Sequence, residues 1–277
     1  MKESEYQKDI DVILAHRYDQ GHDLWTTPDQ RLCKGSPFST LDCISYLLEL
    51  GMDKENIILK QCADLIYQHQ KKDGRFSIAP NGGIYPCHTA LCANTLRSLG
   101  FIDDERIQKT LLYFLHTQEK DGGWKCNKYS FGRGEETIYS TPYTTLVVLD
   151  LFHESTHCNT NPALDQAVEF LLQHWEIKKP ISPCHYGIGT LFHQLEYPFR
   201  GYNIFYYVYV LSYYSYARKD PRFLQALDII TSKLTKDGLI VERCVPKLAK
   251  LHFCRKNVVS KLATKRYEEI MDRMKIT

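Results

Sequence analysis

The chain alternates between two kinds of segment with helical periodicity. In the first kind, apolar residues recur every three or four positions and leave one polar face, as at Leu164, Val168 and Leu171. In the second kind nearly every position is apolar, as in "TTLVVLDLF" from Thr144 to Phe152 and in the aromatic run after Tyr202. A helix that is apolar all round is buried on every side. The pattern therefore predicts an all-α protein in which exposed and buried helices alternate.

Proline-containing segments mark where the buried helices are predicted to begin. Proline suits the first turn of a helix because the N–H that it lacks is not needed there. Four segments place it after a capping or aromatic residue: "SPFST" at Ser36, "YPCHT" at Tyr85, "TPYTT" at Thr141 and "SPCHY" at Ser182. We expect each of the four to open a buried helix.

Lys-Asp-Gly turns mark where the exposed helices are predicted to end. They occur in "HQKKDGRF", "TQEKDGGW" and "KLTKDGLI", and glycine accepts the left-handed conformation that terminates a helix. Asp73 and Asp121 lie 48 residues apart, so the turns recur at about 50 residues, the spacing of a repeat architecture. About five helical hairpins fit this spacing. We predict that they form a single α/α toroid domain over residues 1–277.

Composition narrows the range of partners and compartments. The 277 residues include 35 basic and 33 acidic side chains, a formal net charge of +2, which gives no electrostatic reason to expect nucleic acid as a partner. The sequence contains no run of 18 apolar residues and no secretory leader pattern, so we expect a cytoplasmic protein without a transmembrane segment. The ten cysteines are then expected to be reduced thiols, buried or bound to metal. Residues 245–277 read as a basic tail with a helical end.

The Lys-Asp-Gly turns also carry a family resemblance. "QEKDGGW" (Gln118 to Trp124) and "QKKDGRF" (Gln70 to Phe76) fit Q-x-x-D-G-x-W/F, which resembles the QW motif of triterpene cyclases and related turns of protein prenyltransferase β subunits. The resemblance extends over roughly residues 16–240 and implies a short member of the terpenoid cyclase and prenyltransferase α/α toroid superfamily. It implies that Gln118 and Trp124 join adjacent repeats, a structural role.

Two Cys-His pairs are candidate metal ligands. Cys87-His88 and Cys184-His185 each follow a proline at the predicted start of a buried helix, and zinc accepts tetrahedral Cys/His ligand sets. The resemblance adds that prenyltransferase β subunits place a zinc-ligand histidine in a context like "HTALC". We therefore predict zinc as a candidate cofactor, held by all four residues, with His88, Cys184 and His185 as candidate catalytic residues. The alternative is that they are core thiols and helix-capping imidazoles, because no C-x-x-C pair is present.

Three cations follow Trp124 in the loop "KCNKYSFGRGEET". Lys125, Lys128 and Arg133 could hold a diphosphate through charge-assisted hydrogen bonds, and the resemblance implies such a site because prenyltransferase β subunits bind isoprenoid diphosphate at a similar basic stretch. The alternative is a solvated loop whose cations pair with Glu135 and Glu136.

Tyrosines at helical spacing are candidates for the apolar part of a binding site. Tyr202, Tyr206 and Tyr209 recur on one or two faces of a predicted helix and could contact an isoprenoid chain or stabilise a carbocation through their π electrons. The alternative is an ordinary aromatic core.

These features leave two hypotheses for function. The first is a prenyltransferase-like or cyclase-like enzyme that binds an isoprenoid or similar apolar substrate, with a diphosphate, in a central cavity. The second is a non-catalytic toroid that binds an apolar ligand or peptide, or a scaffold for a partner protein. The second is favoured by the absence of the D-x-D-D and D-D-x-x-D motifs. A partner subunit fits either hypothesis.

Overall fold

A computed structural model describes residues 5–126, 134–155 and 158–276. Within these ranges the α-helices are α1 (Gln7–Ala15), α2 (Thr40–Glu49), α3 (Ile57–Gln68), α4 (Pro86–Ser98), α5 (Glu105–His116), α6 (Pro142–Phe152), α7 (Pro162–Ile177), α8 (Ile204–Leu211), α9 (Ser215–Arg218), α10 (Pro221–Thr231) and α11 (Lys261–Lys275). Short 3-10 turns occupy Glu135–Ile138, Pro246–Leu248 and His252–Cys254.

The predicted all-α class is confirmed. The sheet in the described residues is one antiparallel pair of two-residue strands, β1 (Leu234–Thr235) and β2 (Gly238–Leu239), with Leu234 opposite Leu239. No helix in these ranges is both long and apolar enough to cross a membrane. The closed ring of a toroid and the single-domain organisation stay predictions.

The contacts between residues divide the chain into two compact units. Unit 1 consists of Met1–Tyr113 and Val245–Phe253, and unit 2 consists of Phe114–Cys244 and Cys254–Thr277. The chain therefore leaves unit 2 after Cys244 and returns to it at Cys254.

Unit 1 is built around α2 and α4. Helix α2 packs against α1, α3 and α4, and α3 also packs against α4. Helix α3 has one solvent-exposed face and buries a stripe of residues that includes Leu59, Cys62 and Ile66. Helix α1 buries Asp9, whose carboxylate accepts hydrogen bonds from the backbone N–H groups of His252 (3.0 Å) and Phe253 (2.9 Å). The carboxylate thus holds the segment Val245–Phe253 in this unit.

Unit 2 is built around α6 and α8, the two helices with almost uniformly apolar sequences. Every residue of α6 except Tyr143 is buried, and every residue of α8 except Tyr209. Helix α8 packs against α6, α10 and α11, and α7 packs against α6, α9 and α10. The prediction that all-round apolar segments are buried helices is confirmed for both.

The proline signals predicted three helices and failed at the fourth. Helices α4 and α6 begin at Pro86 and Pro142, and α2 begins at Thr40, after Pro37. "SPCHY" does not begin a helix. It forms a tight turn closed by the bridge between Ile181 and Tyr186, in which Ser182 and His185 both have positive φ.

The glycines of the Lys-Asp-Gly turns do not cap the helices, which corrects a second prediction. Helix α3 ends at Gln68 and α5 at His116, well before Gly74 and Gly122. Both glycines have a φ of +88°, so the predicted backbone conformation is present, but it lies in a separate turn. After the helix ends, the chain makes a separate tight turn before the next helix begins. The turn that contains Gly74 is closed by the bridge between Gln70 and Phe76.

Two of these turns dock on the following exposed helix in the same way. In unit 1, Nε2 of Gln70 donates to the carbonyl of Arg106, the second residue of α5, at 2.8 Å. In unit 2, Nε2 of Gln118 donates to the carbonyl of Ala163, the second residue of α7, at 2.7 Å. Gln118 also donates to Gly122 within its own turn, at 2.6 Å.

All three turns also bind the helix that follows them along the chain. The backbone N–H groups of Phe76, Trp124 and Leu239 each donate to a threonine hydroxyl at the fourth position of that helix, over 2.9–3.1 Å. The acceptors are Thr89 in α4, Thr145 in α6 and Thr264 in α11. The sequence repeat therefore corresponds to a repeated set of contacts. Its equivalence with the QW motif of the cyclases stays a prediction.

Candidate functional site

Unit 2 contains a buried carboxylate that contacts two side chains. Asp150 is the one charged residue in α6 and is 9% exposed. Its Oδ2 accepts a hydrogen bond from the hydroxyl of Tyr206 in α8 at 2.7 Å, and its Oδ1 lies 3.1 Å from Nε2 of His153. A carboxylate with partners on both oxygens is held in one orientation inside an apolar helix pair.

The two partners of this carboxylate belong to a cluster of aromatic rings. The ring of His153 stacks on Tyr213 with centroids 3.7 Å apart. Phe199 contacts the rings of Tyr206 and Tyr209 at centroid distances of 5.2 and 4.8 Å. The five rings therefore present several π faces within one cluster, which we call the tyrosine cluster: His153, Phe199, Tyr206, Tyr209 and Tyr213.

Helix α11 places charged groups against the tyrosine cluster. The guanidinium of Arg273 lies 3.9 Å from the ring centroid of Tyr213 and 4.8 Å from that of Tyr209, within cation–π range. Its Nε donates to the hydroxyl of Ser212 at 2.8 Å, whereas its Nη2 is buried with no hydrogen-bond partner among the described residues. The two N–H groups of Nη2 are therefore unpaired beside the aromatic rings.

Tyr209 links α8 to α11 through its hydroxyl. That oxygen lies 3.0 Å from the hydroxyl of Tyr213 and 3.3 Å from Oε2 of Glu269, and it accepts from Nη1 of Arg266 at 3.3 Å. Burial raises the pKa of Tyr209, so the hydroxyl stays protonated and can donate a hydrogen bond.

Tyr202 has a separate partner. Its hydroxyl lies 2.9 Å from Nδ1 of His174, while Nε2 of that histidine lies 3.2 Å from the carbonyl of Lys179. A carbonyl only accepts, so Nε2 carries the proton and Nδ1 accepts from the tyrosine. Burial lowers the pKa of His174 to about 4, which keeps the imidazole neutral. Of the three predicted tyrosines, Tyr206 and Tyr209 lie in the tyrosine cluster and Tyr202 lies in this pair.

The described part of the predicted diphosphate loop is small. Lys125 is half-buried, and its Nζ lies 3.4 Å from the carbonyl of Ile138. Lys128 and Arg133 lie outside the described residues. Binding of a diphosphate by these three cations stays a prediction.

His88 lies in a buried polar cluster of unit 1. Its Nδ1 lies 3.3 Å from Sγ of Cys33, and its Nε2 lies 3.1 Å from the carbonyl of Ser77 and 3.4 Å from Sγ of Cys92. The same Ser77 carbonyl lies 3.1 Å from Nδ1 of the buried His69. Burial raises the pKa of the Cys92 thiol, which is therefore protonated at neutral pH.

The other predicted Cys-His pair lies in unit 2, in the turn that replaces the predicted helix. Sγ of Cys184 lies 3.9 Å from the carbonyl of Cys126, and His185 is exposed with a φ of 51°. In the described residues no group of three or more His, Cys, Asp or Glu side chains is placed to hold a metal ion. Zinc binding by Cys87, His88, Cys184 and His185 therefore has no structural support, and it stays a prediction from the sequence.

Asp150, His153, Glu269 and Arg273 were missed by the sequence reasoning. The signal for Asp150 was visible, because a single carboxylate in "TTLVVLDLF" must find a partner when the helix is buried. The partners themselves come from helices far along the chain, and spacing within one helix does not reveal them.

No protein-family model matches the chain. It is similar to a squalene–hopene cyclase from Zymomonas mobilis subsp. mobilis, with 24% identity over 181 residues. The match covers 64% of this chain and 27% of the relative, so the chain corresponds to little more than a quarter of that protein. This distant similarity hints at the terpenoid cyclase superfamily and is compatible with the helical fold described above.

Proposed function

We propose that the protein binds an isoprenoid or similarly apolar chain against the tyrosine cluster of unit 2. The observation that carries the proposal is the buried Asp150 carboxylate, which is bonded to Tyr206 and His153, two members of the tyrosine cluster. The distant similarity to a squalene–hopene cyclase and the QW-like turns support the same substrate class.

The chemistry of the cluster suits a substrate that develops positive charge. Cyclisation and prenyl transfer both pass through carbocations, which the π faces of tyrosine stabilise and which a nearby carboxylate stabilises further. Asp150 and Tyr209 would act on the hydrocarbon part of the substrate. The diphosphate of an allylic substrate would be held by Lys125, Lys128 and Arg133, whereas the buried unpaired donor of Arg273 offers a second anion contact.

Calorimetric titration with an isoprenoid diphosphate and with the matching alcohol tests whether the cations bind the diphosphate and the tyrosine cluster binds the hydrocarbon part. Lys125→Gln should weaken binding of the diphosphate by roughly 1.5–3 kcal/mol, the usual value for a hydrogen bond to a charged group, and leave the alcohol almost unchanged. Tyr209→Leu should weaken both ligands alike, by about tenfold, because it removes an aromatic face rather than a charge.

Tyr216 provides the matched control. It belongs to the same aromatic run, lies in α9 and is 45% exposed, so Tyr216→Leu should leave both affinities unchanged. Equal losses in the Tyr209 and Tyr216 variants would contradict the proposed place of binding. Equal affinities of the parent protein for alcohol and diphosphate would contradict the role of the cations.

The alternative is a non-catalytic protein that binds an apolar ligand or peptide, or a scaffold. It is favoured by the hydroxyls of Tyr202 and Tyr206, which are both engaged within the protein, as in an ordinary core. Incubation with an isoprenoid diphosphate, monitored by the release of inorganic diphosphate, separates these two functions. A prenyltransferase-like enzyme releases inorganic diphosphate, whereas a binding protein does not.

A further inference from the structure

Two cysteines of unit 2 bring their sulfur atoms close together. Sγ of Cys244 lies 3.9 Å from Sγ of Cys254, and the two sulfur atoms are not joined by a disulfide bond. A disulfide requires a separation of about 2.05 Å, so oxidation has to bring the two sulfur atoms roughly 1.9 Å closer. Cys254 is fully buried, whereas Cys244 is partly exposed and accessible to a small reagent.

The two thiols have different chemical roles. The hydrogen bond between the two thiols lowers the pKa of the Cys244 thiol, and the positive charge of Arg200 acts in the same direction, while burial and the charge of Glu196 oppose both. The attacking species in disulfide exchange is the thiolate. Cys244 is therefore the attacking cysteine, and the buried Cys254 is positioned to resolve the product.

The segment between the two cysteines is held at its far end by other contacts. Val245–Phe253 is counted with unit 1, where the Asp9 carboxylate binds the backbone N–H groups of His252 and Phe253. Asp9 therefore holds the chain within unit 1 up to the residue before Cys254.

We propose that Cys244 and Cys254 form a dithiol site that reacts with small-molecule disulfides. The thiolate of Cys244 attacks one sulfur of the small disulfide, whose S–S bond breaks, and a mixed disulfide forms as the first small thiolate leaves and takes up a proton. Cys254 then loses its proton to solvent and attacks Sγ of Cys244. The second small thiol leaves, so the small disulfide is reduced to two thiols and the cysteine pair is oxidised to one disulfide.

Equilibration of the full chain with glutathione disulfide tests the proposal. After remaining thiols are blocked by an alkylating reagent, peptide mapping by mass spectrometry should find Cys244 joined to Cys254. Cys62, which is buried and whose pKa burial raises to about 12, should be recovered as a free thiol.

Two serine variants separate the roles of the two thiols. Cys254→Ser should accumulate the mixed disulfide at Cys244, because the resolving thiol is gone, and Cys244→Ser should leave Cys254 unreacted. If the parent protein accumulates the mixed disulfide at Cys244 without the internal bond, or if neither cysteine reacts at a glutathione disulfide concentration that modifies the exposed Cys33, the proposal is wrong. The mapping of the parent protein decides this even where a variant does not fold.

Discussion

The tyrosine hydroxyls of α8 each reach a different helix. Tyr206 donates to Asp150 in α6, Tyr207 donates to the carbonyl of Leu171 in α7, and Tyr209 reaches Glu269 in α11. Because a buried hydroxyl without a partner is costly, these bonds determine how α8 is rotated relative to its neighbours in unit 2. This explains why the aromatic run contains tyrosine where phenylalanine would fill the same space.

Replacing Tyr206 tests this at one residue. Tyr206→Phe leaves Oδ2 of Asp150 without the hydroxyl donor, so we expect a loss of about 1–3 kcal/mol in the free energy of unfolding, measured with urea. Tyr216→Phe is the control, because its hydroxyl makes an exposed contact with Glu169 and should cost less than about 0.5 kcal/mol. Similar losses in the two variants would show that the buried contact with Asp150 stabilises the protein no more than the exposed contact of Tyr216 does.

Protonation of His174 predicts a loss of stability in mild acid. Its pKa is about 4 in the folded protein and 6.5 when exposed, so the unfolded chain binds more protons between these values. The free energy of unfolding should therefore fall as the pH drops from 6.5 towards 4, by about 3 kcal/mol from this residue alone. His69 and His193, whose pKa values burial also lowers, act in the same direction, whereas the raised pKa of Glu196 opposes them.

The contribution of His174 is isolated by comparing two variants. His174→Gln keeps one donor and one acceptor but does not titrate, so its stability should fall less between pH 6.5 and pH 4 than that of the parent protein. The exposed His116 is the control, and His116→Gln should follow the parent curve. An equal fall in the free energy of unfolding between pH 6.5 and pH 4 in all three proteins would contradict the assignment of this pH dependence to His174.

At the scale of elements, the Lys-Asp-Gly turns require glycine for two reasons. Gly122 has a φ of +88°, and a Cβ added to it would lie 2.4 Å from the carbonyl oxygen of Gln166 in α7. Gly100 has a φ of +100°, but an added Cβ would meet no atom within 4 Å. Gly100 therefore requires glycine for its backbone conformation alone, whereas Gly122 requires it both for its conformation and for its close approach to α7.

Alanine at these two positions measures the docking of the turn on α7. Gly100→Ala should cost about 1–2 kcal/mol of unfolding free energy, the cost of a left-handed conformation for a residue with a side chain. Gly122→Ala should cost roughly 1–3 kcal/mol more, because the new methyl group pushes against the helix backbone. If urea unfolding gives equal losses, the close contact with Gln166 carries no energetic weight.

Much of the helical architecture was predictable from the sequence, because burial and periodicity are encoded locally. Helices α4 and α6 begin at the prolines that indicated them, and the all-round apolar runs became the buried helices α6 and α8. "SPCHY" carries the same letters as a helix start, yet Ser182 and His185 adopt positive φ in a closed turn. The proline signal fixes φ at one residue and does not require the next turn to continue as a helix.

At the scale of the whole molecule, the candidate site combines what the sequence could and could not predict. The spacing of Tyr206 and Tyr209 predicted an aromatic face, but Asp150 and Arg273 reach it from helices 56 and 67 residues away from Tyr206 along the chain. Such pairings depend on how helices pack, which one sequence does not reveal. The grouping of two Cys-His pairs into one zinc site rested on matching positions in a repeat, and the second pair lies in a turn instead of a helix.

The place of ligand binding is the central claim, and hydrogen–deuterium exchange of the full chain tests it most directly. With a saturating isoprenoid diphosphate, amide exchange should slow in residues 196–220, which carry four of the five rings of the tyrosine cluster, and in α11, whose Arg273 contacts two of them. Exchange should stay unchanged in α2 and α3 of unit 1. Inorganic diphosphate serves as the control and should leave residues 196–220 unchanged. No protection of these residues by the isoprenoid diphosphate, or protection confined to unit 1, would contradict the account.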